Sequence, residues 1–191
     1  MISKKEHMFQ KRNIEYELML ALAKKNMHQR ELAKLLDEPL SNIHRELNRL
    51  VNLNIIDFDE EGRNKTYHIK KGIIARNHIL MAEIYKLSKL LSIYPGLQPI
   101  VQDILSQGKQ SPMVILFGSY ANFNAKMESD IDLYMETDDR KIKGAAEKID
   151  SRLSVKIGDF DLDNLLVKEI VINHVIIKGF ERFYEKIGFF N

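Results

Sequence analysis

Four residues in one stretch have the types and spacing to do chemistry. Within Met113–Met135, MVILFGSYANFNAKMESDIDLYM, a short apolar run ends at Gly118-Ser119. A polar, irregular segment follows, and Asp130 and Asp132 then alternate with Ile131 and Leu133. Alternation of period two predicts a half-buried strand over Ser129–Tyr134. On such a strand Ile131 and Leu133 point into a core, while Asp130 and Asp132 point together at the other face. Two like-facing carboxylates roughly 7 Å apart along the chain repel each other unless a cation lies between them. Mg2+ suits that place, because it takes one or two carboxylates plus substrate phosphates.

A strand, then Gly-Ser, then ten residues, then Asp-Ile-Asp resembles the DNA polymerase β-like nucleotidyltransferase superfamily. The likeness is greatest to the minimal, single-domain prokaryotic members, some of which act as antitoxins. GSYA at 118–121 and ESDIDLY at 128–134 carry it, and it covers about residues 110–188. The resemblance implies that Gly118 lets the backbone approach a nucleoside triphosphate and that Ser119 hydrogen-bonds it. It also implies that Asp130 and Asp132 hold two Mg2+ ions during an in-line displacement. Active members carry a third carboxylate on the strand after the next helix, as metal ligand and base. Here that strand reads LSVKI, Leu153–Ile157, with Leu153, Val155 and Ile157 inward and Ser154 and Lys156 on the acid side. Asp159 and Asp161 follow, and Asp161 could supply the missing oxygen if the strand runs on or bulges. A second departure is Asn122-Phe123, where the family often has a basic residue and a glycine.

Other elements must hold these residues. A helix is expected over Lys141–Leu153, and further helices over Asn164–Val175 and Ile176–Ile187. A small mixed sheet flanked by helices follows for residues 112–191. Ahead of it, Gly72–Ile93 is a long amphipathic helix with a broad apolar stripe, Leu97–Leu105 is another helix, and Ser106–Pro112 is a polar linker. Residues 72–111 thus form a helical connector and a candidate dimer seam.

The front of the chain gives helices over Asn13–Lys25, Gln29–Leu36 and Leu40–Asn52, then strands over Ile55–Phe58 and Thr66–Ile69 joined by a polar hairpin tip. HQRELAKLL, PLSNIHRELNRL and NIIDFDEEGRNKTYHIKK resemble a winged helix-turn-helix domain over about residues 10–71. The third helix keeps Ile43, Leu47 and Leu50 on one face. The other carries Ser41, Asn42, His44, Arg45, Asn48 and Arg49, which are groove-reading and phosphate-binding types. Arg63 and Lys65 on the hairpin tip would reach flanking phosphates. The expected fold is therefore α+β in two domains: 1–71 as a winged helix of three helices plus a hairpin, and 112–191 as a nucleotidyltransferase-like domain beyond the connector.

Composition narrows the function classes. With 45% apolar and 29% charged residues, the 191-residue chain reads as globular and water-soluble. It has no cysteine, so disulfides, thiolate zinc sites and cysteine nucleophiles are excluded, in keeping with a cytoplasmic location. Its apolar runs fall far short of the ~20 residues of a membrane helix, and its first residues lack the apolar core of a signal peptide. Residues 1–80 carry 15 Lys and Arg against 11 Asp and Glu; residues 81–191 carry 14 against 16. That split suits a front half that meets a polyanion and a back half that holds cations. Double-stranded DNA and a nucleoside triphosphate are the expected ligands. A homodimer is the expected form, since such domains read two half-sites about 34 Å apart. Three readings stay open: an Mg2+-dependent transferase moving a nucleoside monophosphate to a hydroxyl, a regulator whose degenerate domain senses nucleotide, and an antitoxin-like protein with a toxin partner.

Overall fold

The computed structural model describes residues 12–62, 64–107, 111–126 and 128–190. It is a mixed α+β structure of two compact units, the first ending at Glu83 and the second beginning at Ile84. No helix among the described residues is long and apolar enough to cross a membrane.

The first unit runs α1 (Ile14–Lys24), β1 (Met27–His28), α2 (Gln29–Leu35), α3 (Leu40–Asn52), β2 (Ile56–Glu61), β3 (Asn64–Ile69) and the start of α4 (Ile73–Ile93). Asn13 caps α1 by accepting from the Tyr16 N–H at 3.3 Å. At α2 a capping box forms in which the His28 N–H donates to Glu31 Oε2 at 2.9 Å. Leu18, Leu32, Ile43, Leu47, Leu50, Ile55 and Tyr67 are buried and make the core. The hairpin strands extend further than their apolar residues suggest. The ladder runs from Ile56↔Ile69 out to Glu61↔Asn64, supported near its tip by Lys65–Glu60 at 3.3 Å and by Lys65 lying 3.7 Å over the Phe58 ring. The two-residue β1, with no sequence signal of its own, adds to β3 and gives the antiparallel order β1-β3-β2.

The second unit contains the rest of α4, then α5 (Leu97–Gln107), β4 (Val114–Phe117), α6 (Gly118–Ala121), β5 (Ile131–Glu136), α7 (Arg140–Ala146), β6 (Leu153–Gly158), α8 (Leu165–Ile172), β7 (Val175–Lys178) and α9 (Phe180–Lys186). The sheet order is β6-β5-β4-β7, with β5 and β6 parallel and the other pairs antiparallel. Alternation divides its side chains. Val114, Leu116, Ile131, Leu133, Met135, Leu153, Val155, Val175 and Ile177 join Leu90, Leu97, Ile100, Val101 and Ile104 in one core. The opposite face carries Ile115, Tyr134 and Ile176 under an aromatic chain that runs from Tyr134 to Phe160 to Phe183 to Tyr184. Parallel pairing of β5 with β6 needs a crossover, and α7 supplies it. The edge strand β6 has its Val155 N–H bonded to Glu147 Oε1 at 3.4 Å.

Two expectations for the back half need correction. The helix after β5 stops at Ala146 rather than continuing to Leu153, because residues 150–152 form a turn held by the Asp150–Arg152 pair at 2.8 Å. Ile176–Ile187 is not one helix. Val175–Lys178 is the strand β7, and Gly179 at φ 83° starts α9. A short β-branched run buried on both faces looks alike as helix or strand, so periodicity alone does not separate them. A Cβ at Gly179 would lie 2.5 Å from the Pro112 carbonyl oxygen.

One ion cluster fixes α9 to the sheet. Glu136, buried at the end of β5, takes both Arg182 guanidinium arms, with Oε1 2.9 Å from one of them, and Lys186 at 3.1 Å. Arg182 foremost, and Lys186 with it, holds the Glu136 carboxyl below its ordinary value. Removing Arg182 leaves a buried charge short of its main partner, so Arg182→Ala should cost roughly 2–3 kcal/mol in urea unfolding. A depressed carboxyl stabilises the fold above its unfolded pKa and loses that contribution as pH falls through the folded one. The gap between the native chain and Glu136→Gln should therefore be constant above about pH 5 and close in more acid solution.

Candidate functional site

The site is built where β4 turns over to face β5. Phe117 pairs with Asp132, so the residue after Phe117 arrives beside the second acid. That residue is Gly118, at φ 69°. A Cβ there would collide with Asp132 Oδ2 and lie 3.2 Å from Asp132 Cγ. Glycine is needed twice over, for the left-handed backbone and for the close approach. Ser119, half-exposed, follows in α6. The next loop is closed by Asn122 Nδ2 donating to the Gly118 carbonyl at 3.0 Å and by the Asn124 N–H donating to the Ser119 carbonyl at 3.2 Å. Phe123 takes φ 56°, a backbone state that favours glycine, and packs its ring on the core with Lys89 5.7 Å above it. The two departures at 122 and 123 thus serve the loop itself.

Asp130 is held from both sides. The Lys126 N–H donates to Ser129 Oγ at 2.8 Å before it, and the Ile131 N–H donates to the Arg152 carbonyl at 2.8 Å after it. Asp130 is exposed and Asp132 half-buried. Burial raises the Asp132 carboxyl, and the Asp130 charge raises it further, so the structure brings the two acids together. The register Asp132↔Ser154 and Tyr134↔Lys156 puts Ser154 and Lys156 on the same face. The Lys156 ammonium, and Ser154 after it, act to lower the Asp132 carboxyl against the burial that raises it. No carboxylate occupies β6 on this side.

Asp161 lies in the turn before α8, where its Oδ1 accepts from the Asp163 N–H at 3.0 Å. The further acid whose charge reaches Asp132 is Glu169, on α8. Sequence spacing gives no hint of it, because Glu169 is distant from Asp132 along the chain. Among the described residues, no group of three or more His, Asp and Glu side chains is arranged to hold a metal ion.

In the first unit, α3 presents Ser41, His44, Arg45 and Asn48 to solvent and buries Ile43, Leu47 and Leu50. Asn42 is half-buried, its amide 3.4 Å from Glu38 Oε2. His44 lies between Gln29 Oε1 at 3.2 Å and Asn48 Nδ2 at 3.0 Å, a polar row along the groove between α2 and α3. This groove is a cavity of about 440 Å3 lined by His28, Gln29, His44, Asn48, Lys65 and Tyr67, among others. Arg45 reaches back to Asn42 Oδ1 at 3.5 Å. Arg49 is engaged elsewhere: it pairs with Glu46 at 2.6 Å and with Glu15 of α1 at 2.5 Å, and Glu46 foremost raises its guanidinium. Lys65 is likewise paired, with Glu60. Arg63 lies outside the described residues.

Comparison with known proteins bears on both units. Residues 12–74 match a family model described only as HVO_A0114. Residues 100–187 match the family model described as Polymerase beta, Nucleotidyltransferase. No curated protein matches the chain. The polymerase β match spans β4 to β7 and contains Gly118, Ser119, Asp130 and Asp132, so the second unit holds a nucleotidyltransferase-like domain.

Proposed function

We propose that this chain is a DNA-binding nucleotidyltransferase that moves a nucleoside monophosphate from a nucleoside triphosphate to a hydroxyl acceptor. One observation carries the reading. The left-handed backbone at Gly118 sets the Gly-Ser turn directly against the Asp132 carboxylate. A triphosphate on the turn would then lie beside the acid pair. The donor set suits a divalent cation. Asp130 and Asp132 are adjacent oxygens of like charge, and the repulsion and burial that raise Asp132 are relieved by a bound cation. Asp130 and Asp132 would hold Mg2+, which would supply neutralisation of the charge on the phosphates.

The chain's own residues do the rest. Gly118 and Ser119 hold the phosphates through backbone and hydroxyl. Ser154, opposite Asp132 in the register, offers a hydroxyl beside the acid. In the transfer, the acceptor oxygen bonds to the α-phosphorus while the bond to the oxygen bridging towards the β-phosphorus breaks. Pyrophosphate leaves, and the acceptor's proton passes to a carboxylate. Asp161, in the turn before α8, and Glu169, whose charge acts on Asp132, are the two further acids to test for that role.

For the first unit we propose a winged helix-turn-helix that binds double-stranded DNA. Support comes from the helix–helix–hairpin order, the three-stranded antiparallel sheet and the exposed polar face of α3. Ser41, His44, Arg45 and Asn48 are the proposed groove readers. Arg49, tied to α1, is assigned a scaffold role.

A second reading is favoured by Lys156. A lysine on the acid face of β6, with no carboxylate there, suits a domain that binds nucleotide without turning it over and reports it to DNA. Full-length protein with Mg2+, each labelled triphosphate and a pool of RNA and protein acceptors separates the two. The transferase releases pyrophosphate, and Asp132→Asn lowers the rate on the order of 100-fold or more. Saturable nucleotide binding with no pyrophosphate from any triphosphate establishes the sensor instead. Gly118→Ala should remove nucleotide binding in either case.

DNA affinity should fall steeply with salt. Arg45→Ala should weaken it by about 1–3 kcal/mol. Arg49→Ala should leave the salt slope unchanged and lower thermal stability by at most about 1 kcal/mol, as expected for an exposed pair. An unaltered affinity in Arg45→Ala, measured by fluorescence anisotropy, would remove α3 as the reader.

A further inference from the structure

The nucleotidyltransferase-like face already contains a cation of its own. Lys156 lies on the strand next to Asp132, one register step along, opposite Tyr134. Its ammonium is close enough to act on the Asp132 carboxylate. The acids that act there are Asp130, Asp132 itself and Glu169. A second divalent ion would meet the Lys156 ammonium on the neighbouring strand, and two like charges so placed repel each other. The second ion would also lack a bridging carboxylate on β6, where Ser154 and Lys156 stand on this side.

We propose that Lys156 takes the place of the second divalent cation, so that the site binds a nucleoside triphosphate together with a single metal ion. This rests on the nucleotide-site reading above, whether or not the site turns over. The side chain suits the role: an ammonium on a four-carbon stem is a compact, movable point charge that pairs well with phosphate oxygens. It replaces charge neutralisation but not coordination. The phosphates would therefore be held at Gly118-Ser119 and the one metal on one flank, and by Lys156 on the other.

The test counts metal ions. Full-length protein is saturated with an ATP analogue whose bond between the α- and β-phosphates cannot be cleaved, then titrated with Mn2+. Free Mn2+ is read by electron paramagnetic resonance. The expected result is one Mn2+ per protein–nucleotide complex, rising to two in Lys156→Asp, which restores a carboxylate to β6. Lys156→Met, which keeps the length of the side chain and removes its charge, should tighten the single Mn2+ roughly tenfold. Circular dichroism melting of each variant confirms the fold, and Lys156 is exposed enough to tolerate both changes. Two Mn2+ in the native chain, or still one in a folded Lys156→Asp, overturns the role of Lys156 and leaves the nucleotide site standing. No nucleotide and no Mn2+ bound by any form overturns the nucleotide reading itself, and this inference with it.

Discussion

The approach of the backbone at residue 118 to the Asp132 carboxylate is the constraint on which the second unit's site depends. It requires β4 and β5 to pair so that Phe117 faces Asp132, and it requires a left-handed residue without a side chain immediately after the strand. The first condition also serves the core. A slip of one residue between the strands would turn Asp132 to the wrong face and take Ile131 and Leu133 out of the core with it. The apolar alternation of Leu116, Leu133 and Val155 therefore sets the register, and the register places the chemistry.

The two faces of the sheet divide the labour. One is continuous with the helical core of Leu97, Ile100 and Ile104 and carries only apolar side chains. The other changes along its length. At the Glu136 end it is locked by α9 through Arg182 and Lys186 and by the aromatic chain from Tyr134 onwards. At the Asp132 end it stays open, with exposed or half-exposed Asp130, Ser119 and Lys156. Stabilising interactions are gathered at one end, so the charges at the other can remain uncompensated. The raised Asp132 carboxyl records that residual cost.

Much of this was readable from residue order. The acid pair and the placement of Ser154 and Lys156 followed from period-two alternation, because one buried face fixes which side chains must point away from it; Gly118-Ser119 stood out only as the end of an apolar run and through the family resemblance. The helix Leu40–Asn52 followed equally well from its three buried positions. What was not readable depends on contacts distant in sequence. The Glu169 charge acts on Asp132 from a helix far along the chain, and Arg49 turns from the polar face of α3 because Glu15 lies on a neighbouring helix. The strand β7 was hidden for another reason: Val175-Ile176-Ile177 is buried throughout, and a buried run carries no alternation to read. The short β1 exists only by virtue of its partner β3.

The outer strand of the second sheet has a consequence for the company this protein keeps. An edge strand normally offers a row of free backbone donors and acceptors to any extended segment that passes. Here Glu147 reaches back from beyond α7 to take the Val155 N–H, and Lys156 puts a charge in the middle of the strand. Both features discourage a further strand from joining at β6. The lysine beside the acid pair thus also helps to keep this edge from pairing with another chain, so its replacement by an apolar residue touches solubility as well as the acid site.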